Sequence, residues 1–218
     1  MVLNYFGHSC FKVEIARGFS LVIDPFSGIG YEMPKIAADL VICSHLHFDH
    51  NYVGGVSFSG LPITKSGVYS YPVNGKTLQI EGVDSFHDDK GGTLRGNNII
   101  FKIIYDGIAV CHMGDIGEKP CSALIEKLSA PDVLLVPVGG TYTVDARGAW
   151  EWIDALAPKI IIPMHFKQKG CSIDIQTADR FLQLNTGYEV VTQGGEIDLD
   201  RNDFNIKKII VMEGKENE

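Results

Sequence analysis

Short apolar runs separated by turn residues fill the first half of the chain and predict a series of β-strands. Residues 2–6, 11–16 and 20–23 are expected to form successive antiparallel strands, with Arg17-Gly18 as the turn between the second and third. A hairpin is predicted across Asp106-Gly107, a strong turn signal, whereas Gly82 is expected to break a strand. The other predicted strands of this half are residues 40–43, 62–65, 77–80, 83–86, 98–105 and 108–112.

Helical periodicity appears only in the second half. Residues 122–128 show a short amphipathic pattern, and residues 144–156 predict a stronger helix with Asp145 near its start and Pro158 after its end. Residues 177–185 predict a third helix that closes at Gly187. Strands are expected between and after these helices, at residues 132–136, 159–162, 189–191, 196–199 and 206–211, the last three completing a second sheet.

Many strands with a few helices among them fit two sheets that pack face to face under a cover of helices. This pattern alone limits the fold to the α/β or α+β class. A length of 218 residues suits one domain with a full core. Because no linker, low-complexity segment or repeat interrupts the chain, we predict a single domain over residues 1–213 and a frayed tail over residues 214–218.

The charge balance argues against a nucleic-acid partner. The chain has a formal net charge of −8 and a pI of about 5.3. Affinity for phosphate backbones comes mainly from Lys and Arg, and the concentrated basic stretches here are only Lys167-Gln168-Lys169 and Lys207-Lys208. An acidic surface favours a small or neutral substrate over a long polyanion. The sequence carries no signal for the oligomeric state.

Cysteine usage and hydropathy indicate a cytoplasmic protein. The five cysteines are odd in number and form no Cys-x-x-Cys pair, which favours reduced thiols. The first residues contain no basic region before an apolar stretch, so no signal peptide is expected. No apolar run reaches the roughly 20 residues that span a bilayer, so no membrane span is expected.

The run Ser44-His45-Leu46-His47-Phe48-Asp49-His50 carries the most chemistry in the chain. It places three imidazoles and one carboxylate directly after a predicted buried strand. Imidazole and carboxylate are ligands of zinc, manganese and iron where no thiolate is offered. The order His-x-His-x-Asp-His suits two adjacent ions, with His45 and His47 on one and Asp49 and His50 on the other. A polar surface loop rich in His is the simpler alternative.

The remaining histidines repeat this arrangement. Each of the chain's seven histidines lies in or beside an apolar, strand-like stretch. Strands of one sheet carry their ends to a common edge, so ligands that are distant in sequence can converge there. The positions outside the Ser44–His50 run are His8, His87, His112 with Asp115 three residues later, and His165.

These motifs, taken together, resemble the metallo-β-lactamase superfamily in its small stand-alone branch of metal-dependent hydrolases. That branch is similar to the ascorbate-6-phosphate lactonases and to the phospholipase D that acts on N-acyl-phosphatidylethanolamine. The resemblance implies a four-layer αββα sandwich of the α+β class. The matching segments are Tyr5-Phe6-Gly7-His8-Ser9, Val22-Ile23-Asp24-Pro25-Phe26, Ser44 to His50, Phe86-His87, His112-Met113-Gly114-Asp115, Pro137-Val138-Gly139-Gly140 and Pro163-Met164-His165-Phe166.

The resemblance also implies a ligand set for two divalent metal ions, expected to be zinc, with manganese or iron as alternatives. Asp115 would bridge the two ions. His112 competes with His87 for the third position on the first ion, although a supporting position behind the ligands suits His112 better. The branch usually has Gly-Asp-Thr where this chain has Gly114-Asp115-Ile116. The implied ligands are His45, His47 and His87 for the first ion and Asp49, His50 and His165 for the second.

The implied activity is hydrolysis of a small ester, lactone or phosphodiester by a hydroxide shared between the two metals. Asp49 is a plausible proton acceptor, and His8 or His112 could donate a proton to the leaving group; His8 could equally be a turn residue bonded to backbone. The alternatives are a phosphodiesterase acting on a nucleotide or lipid headgroup, and a non-catalytic metal-binding or sensing protein.

Overall fold

The computed structural model describes residues 1–16 and 18–214, in which strands are the main element. The helices in this part of the chain are α1 (Ser122–Leu128), α2 (Ala146–Leu156) and α3 (Asp179–Gln183), with short 3-10 turns at Val53–Gly55 and Arg201–Asn205. The strands are β1 (Val2–Gly7), β2 (Cys10–Ala16), β3 (Phe19–Ile23), β4 (Ile36–Ala37), β5 (Leu40–Ile42), β6 (Val56–Ser57), β7 (Gly67–Val73), β8 (Lys76–Phe86), β9 (Asn97–Tyr105), β10 (Ile108–His112), β11 (Val133–Pro137), β12 (Ile160–Met164), β13 (Glu189–Gln193), β14 (Glu196–Asp198) and β15 (Lys208–Met212).

Two large sheets organise the described residues. The first has five strands in the order β14-β1-β2-β3-β5, and the second has eight in the order β13-β15-β12-β11-β10-β9-β8-β7. The short strands β4 and β6 pair with each other. One buried apolar cluster contains residues of both large sheets and of the three helices, so the main core lies between the sheets and continues beneath the helices.

Side-chain alternation in the first sheet separates two cores. Leu21 and Ile23 of β3 belong to the main core, whereas Val22 between them belongs to a second cluster on the opposite face. Successive residues of a strand point to opposite faces, so apolar residues at both parities require both faces to be covered. The cover of this second face includes Phe26, Ile29 and Tyr31 from the loop after β3.

Strand direction brings the carboxyl ends of several strands to one edge of each sheet. In the first sheet β1 and β3 are both antiparallel to β2, and β5 is parallel to β3. In the second sheet β8 and β10 are both antiparallel to β9, and β11 and β12 run parallel to β10. The two edges meet, because the amide of His165 after β12 donates to the carbonyl of His8 after β1 at 2.8 Å.

The helices pack beside the second sheet. Trp152 of α2 is fully buried and its indole N–H donates to the carbonyl of Glu118 at 2.9 Å. Asp145 caps the start of α2, its carboxylate accepting from the amides of Arg147 at 3.1 Å and Gly148 at 2.9 Å. The predicted helix 144–156 is therefore two residues too long at its start, because Asp145 is the cap, while the predicted helix 122–128 matches α1.

Three strand predictions are wrong. Gly82 does not interrupt the strand but lies within β8. A Cβ at this position would come within 3.0 Å of the Phe101 ring. Residues 62–65 form only an isolated bridge, Ile63 with Ile42. The strand predicted at residues 196–199 joins the first sheet as β14, paired with β1, and not the second sheet. The strand β7 was not predicted, because its residues are mostly exposed or half-buried and give no apolar run.

Two sequence predictions touch residues outside the described part. The turn after β2 includes Arg17, and most of the predicted tail, residues 215–218, also falls outside. Among the described residues, no helix combines the length and apolar character needed to cross a membrane.

The cap of α2 gives a stability prediction. We expect Asp145→Ala to lower the free energy of unfolding by about 1 kcal/mol, because two helical amides lose their acceptor. Thermal unfolding should then shift down by about 2–4 °C for a protein of this size. Asp145→Ser keeps a capping oxygen and should retain most of the stability. A Tm for Asp145→Ala equal to that of the wild type would show that the cap contributes nothing.

Candidate metal centre

Each predicted site residue lies at or after the carboxyl end of a strand in the two meeting edges, and His112 is itself the last residue of β10. His8 follows β1, His87 follows β8 and His165 follows β12. The loop after β5 supplies four further residues, and the loop after β10 supplies Asp115. The structure brings together all seven residues that the sequence predicts as ligands, which are His45, His47, Asp49, His50, His87, Asp115 and His165.

His45, His47 and His87 form one compact group of imidazoles. Their ring centroids lie 4.6 Å apart for His45 and His47, 4.7 Å for His45 and His87, and 5.0 Å for His47 and His87. One nitrogen from each ring lies within 4.8 Å of the others. Three imidazoles at this spacing can face one ion, and they include His87 rather than His112.

A second group contains His8, Asp49, His50 and His165. One ligand atom from each lies within 4.8 Å of the others. The rings of His50 and His165 stack with centroids 5.7 Å apart, and the His8 ring lies 4.2 Å from that of His165. This group contains the three residues predicted for the second ion and adds His8, which the sequence predicted as a leaving-group donor.

Asp115 lies between the two groups. Its carboxylate oxygens come within 3.2 Å of His50 Nε2 and 3.2 Å of His165 Nε2 on one side. On the other side, they come within 3.3 Å of His87 Nε2 and 3.9 Å of His45 Nε2. A carboxylate placed in this way can be shared between two ions, as a bridging ligand is.

Asp24, which was not predicted as a site residue, binds both ends of the loop Ser44–His50, called the metal loop below. It is fully buried and its Oδ1 accepts from the Ser44 amide at 2.7 Å, while its Oδ2 accepts from the Ser44 hydroxyl at 2.6 Å. His50 Nδ1–H donates to Asp24 Oδ2 at 2.8 Å, which orients the ring so that Nε2 faces the site. In the same way, His45 Nδ1–H donates to the Ser44 hydroxyl at 2.9 Å.

Asn98 performs the corresponding role for the loop of Asp115. Its side-chain oxygen accepts from the Asp115 amide at 2.9 Å, and its side-chain amide donates to the carbonyl of Met113 at 2.9 Å. Gly114, between Met113 and Asp115, has φ 55°, and a Cβ there would clash with Asn98 Oδ1. The Gly-Asp step thus depends on the close approach of Asn98.

Three residues of the site have left-handed backbone conformations. The φ angles are 53° for His8, 47° for Asp24 and 50° for His165. This region costs a non-glycine residue about 1–2 kcal/mol. Each of the three directly follows a strand, and each is buried and hydrogen-bonded, so the surrounding structure outweighs the cost and turns these side chains toward a common point.

Electrostatics set the protonation states of the imidazoles. Burial, and then the neighbouring His50, lower the pKa of His45 to about 3, while burial and His165 lower the pKa of His8 to about 4. Burial also lowers the pKa of His47. These rings are therefore neutral at pH 7 and keep a lone pair for a metal.

The pKa values of the site carboxylates and of His50 shift in opposite directions. Although burial raises the pKa of Asp115, the surrounding His165 and His50 lower it well below the usual range. Although burial lowers the pKa of His50, the carboxylates of Asp115 and Asp24 raise it well above the usual value. Asp49 has a lowered pKa because His8 and His50 outweigh its burial. The carboxylates are therefore ionised at neutral pH.

Unpaired buried atoms show that this donor set fits divalent cations. In the described residues, His45 Nε2, His50 Nε2, both ring nitrogens of His165 and Asp115 Oδ1 are buried without a hydrogen-bond partner. Buried polar atoms are normally paired, so a cluster of exceptions calls for an ion or another partner. Neutral imidazoles and ionised carboxylates are the ligand forms that zinc, manganese and iron require.

His112 lies behind this donor set. It is fully buried; its Nδ1 accepts from the Gly114 amide at 3.1 Å and its Nε2–H donates to the Ser9 carbonyl at 2.9 Å. Both ring nitrogens are therefore engaged with backbone. This position fits a supporting role and does not fit the proton donation to a leaving group that the sequence had suggested.

Asp24, Ser44 and Asn98 hold the loops of the candidate site, and sequence reasoning missed them. A signal for Asp24 was present, because it follows an apolar strand as the histidines do. Asn98 gave no such signal, since it lies inside a predicted strand and its partners Met113 and Asp115 are more than a dozen residues away. All five cysteines are free thiols, and the described metal-ligand groups contain none of them.

A cavity of about 840 Å³ opens onto the centre. Asp49, His87 and Asp115 lie at its inner side, and its wall includes residues of the loops after β3, β5, β8, β11 and β12. Its rim is apolar in part: Leu46 is 70% exposed, Phe48 60% and Leu94 67%. The centre is therefore buried on the strand side and reachable from solvent through this opening.

Comparisons with known proteins agree with this geometry. A family model described as the beta-lactamase superfamily domain matches residues 2–165. A UPF0173 metal-dependent hydrolase of Thermoplasma volcanium is 31% identical over 198 residues, which cover 79% of this chain and 85% of that protein.

Two solved structures extend the similarity to the whole fold. One, from Thermotoga maritima and described as a candidate zinc-dependent hydrolase of the metallo-β-lactamase superfamily, is 39% identical with a TM-score of 0.76 and 97% coverage of both chains. The other, the metallo hydrolase Igni18 of Ignicoccus hospitalis, is 25% identical with a TM-score of 0.63, covering 99% of this chain and 96% of that one.

These matches confirm the predicted superfamily, its sandwich fold and the assignment to an enzyme. The family model spans the segments from β1 to His165 that carried the resemblance, and the relatives are of similar length. The chain belongs to the metallo-β-lactamase superfamily and, within it, to the small stand-alone UPF0173 metal-dependent hydrolases.

Proposed function

We propose that this protein hydrolyses a small ester, lactone or phosphodiester with two divalent metal ions held side by side. The observation that carries the proposal is the position of Asp115, whose carboxylate lies between two groups of imidazoles. A single-ion protein has no use for a carboxylate shared between two donor sets. The opening of about 840 Å³ above the centre suits a small-molecule substrate.

In this proposal, His45, His47 and His87 hold one ion, Asp49, His50 and His165 hold the other, and Asp115 bridges them. The site contains imidazole and carboxylate donors without thiolate, a set that zinc, manganese and iron all accept. Zinc is the first choice, because the Thermotoga maritima relative is described as zinc-dependent.

When bound, such ions act as Lewis acids that lower the pKa of a water molecule and polarise a carbonyl or phosphoryl oxygen. The chain's own residues supply orientation and a proton acceptor. Asp49 is half-buried and lines the cavity, so its carboxylate can accept a proton from a water molecule or a substrate in the cavity. The buried strand ends exclude bulk water from the other side of the centre.

His8 fixes the Asp49 carboxylate. Its pKa of about 4 keeps it neutral at pH 7, and its Nε2 lies 3.2 Å from Asp49 Oδ2, within reach to donate. The ring is only 1% exposed and packs against the His165 ring. Such burial favours a positioning role over the proton donation to a leaving group that the sequence suggested.

Metal content together with turnover tests the proposal. We expect about two ions per chain by elemental mass spectrometry, with hydrolysis of 4-nitrophenyl esters, lactones or bis(4-nitrophenyl) phosphate that a chelator abolishes. Asp115→Asn should lose at least one ion and reduce turnover by about 100-fold or more. Asp154→Asn, an exposed residue of α2, is the matched control and should change neither.

Two results would contradict this proposal. One ion or none, after incubation with zinc, manganese and iron in turn, would remove the two-metal assignment. Two ions with no turnover of any probe would instead support the non-catalytic metal-binding alternative.

Asp24 should control metal affinity without touching a metal. In Asp24→Asn the amide keeps the shape but loses the charge that orients His50, so we expect affinity for the second ion to fall by about 10- to 100-fold. Competition with a chromophoric chelator measures this directly. Asp39→Asn, at an acidic residue remote from the centre, serves as control. Wild-type affinity in Asp24→Asn would show that the His50 orientation does not depend on the carboxylate.

His8 should act through Asp49. We expect His8→Ala to lower affinity for the second ion by about tenfold, because Asp49 loses its N–H donor, and to lower kcat in proportion. His8→Gln retains an N–H group and should recover part of both. The measurement is a chelator titration beside steady-state kinetics. If His8→Ala binds two ions and turns over like the wild type, His8 has no role in the site.

A further inference from the structure

The loop from Asp88 to Asn97 follows the metal-centre residue His87 and forms part of the cavity wall. From its charged, glycine-containing sequence it could be a solvated loop or a mobile loop at the mouth of the site. The structure places Leu94 and Arg95 in the wall of the cavity that His47 and His87 also line. The loop therefore lies at the mouth.

A buried carboxylate gives this loop a defined shape. Asp88 is 2% exposed and accepts four backbone N–H groups, those of Lys90 at 2.8 Å, Gly92 at 3.0 Å, Leu94 at 3.0 Å and Arg95 at 2.8 Å. Asp88 thus fixes the position of the Arg95 backbone.

The Arg95 side chain is fixed at its far end as well. Its Nη2 donates to the carbonyl of Thr141 at 3.0 Å, and its guanidinium lies 5.8 Å from the centroid of the Tyr142 ring. The loop after β11, which carries Thr141 and Tyr142, forms another part of the same wall. The guanidinium is thereby oriented before any ligand arrives, which reduces the entropy lost on binding.

Most of the hydrogen-bonding capacity of this guanidinium is unused. A guanidinium has five N–H donors in a planar fork, and among the described residues the Arg95 side chain donates one hydrogen bond. Arg95 is also the one Lys or Arg among the described residues of the cavity wall. Asp174, an exposed carboxylate, lines the wall too, so the rim is not uniformly cationic and an anion has one preferred position.

We propose, resting on the hydrolase function above, that Arg95 binds an anionic group of the substrate, so that the substrate is a small ester or lactone carrying a carboxylate or phosphate away from the scissile bond. The planar fork matches both anions, which accept two parallel N–H bonds. The exposed apolar residues Leu46, Phe48 and Leu94 then contact the hydrocarbon between the anion and the reacting group. Because the chain has a net charge of −8, this selectivity is local to Arg95.

A matched pair of esters tests Arg95. The probes are the mono-4-nitrophenyl ester of glutaric acid, which carries a free carboxylate, and 4-nitrophenyl pentanoate, which is neutral and of the same chain length. We expect Arg95→Gln to lower kcat/KM for the glutarate ester by about tenfold, mainly through KM, and to leave the pentanoate ester within about twofold. Arg95→Lys, which keeps the charge but loses the fork, should fall between.

Controls separate recognition from folding. Arg180→Gln, which removes an exposed arginine of α3, should leave both esters unchanged. Arg95 also ties two loops together, so a purely structural role would lower turnover of both esters equally and overturn the inference. Equal kcat/KM values of the wild type and Arg95→Gln on the glutarate ester would overturn it as well.

A binding measurement keeps the inference distinct from the proposed function and separates the two anions. Glutarate and inorganic phosphate are titrated against the metal-loaded wild type and Arg95→Gln, with the thermal unfolding shift as readout. Contacts of the anion with metal are common to both proteins, so a higher apparent Kd in the variant reports Arg95 alone. A difference with glutarate assigns a carboxylate, and one with phosphate assigns a phosphate.

The turnover measurement and the anion titration test separate claims. Absence of turnover of both esters by the wild type would count against the proposed hydrolysis, while a weaker anion titration in Arg95→Gln would still support the anion site. Identical titrations in both proteins would overturn the anion site even if the wild type hydrolyses the esters.

Discussion

The site depends on one buried charge, the carboxylate of Asp24. It has no exposed surface, so its ionised form requires donors, and the protein supplies them from Ser44 and His50. Satisfying that carboxylate fixes the start and the end of the metal loop at once. The Nε2 atoms of His45 and His50 are then both turned toward the site. Asp115 lies in that direction, held in turn by Asn98.

Supporting residues of this kind explain how strained positions persist. His8, Asp24 and His165 adopt left-handed conformations at strand ends, where a more relaxed backbone would send the side chains elsewhere. Two sheets with several strands ending at the same edge provide the rigid base that holds them. The mouth follows the same rule on a smaller scale: Asp88 organises the loop that positions Arg95, as Asp24 organises the loop that positions His50. Buried carboxylates thus organise both the candidate metal centre and its entrance.

Much of the fold could be predicted from local patterns. The hairpin at Asp106-Gly107, the helix Ser122–Leu128 and the first three antiparallel strands follow from turn chemistry and periodicity, which are local properties. Strand predictions failed where the structure of a segment depends on pairing with a distant strand. Gly82 remains in β8 because both neighbouring strands, β7 and β9, hydrogen-bond to that strand. The segment at Glu196–Asp198 joins the first sheet because β1 offers it an unpaired edge. In neither case does the sequence of the segment identify the strand with which it pairs.

The sequence by itself determined the identity of the donors, because His and Asp after apolar strands already define a metal-binding chemistry. It also determined their order along the chain, from which the superfamily could be predicted. Only the tertiary structure decided how the donors are divided. It places His87 with His45 and His47, whereas His112 lies apart from this group. It also adds His8 to the group of Asp49. It alone showed the hydrogen bonds of Asp24 and Asn98 behind the site and the position of Arg95 in the cavity wall. The physical reason is that a donor type is a property of one residue, whereas orientation and burial arise from neighbours that the chain brings together from distant positions.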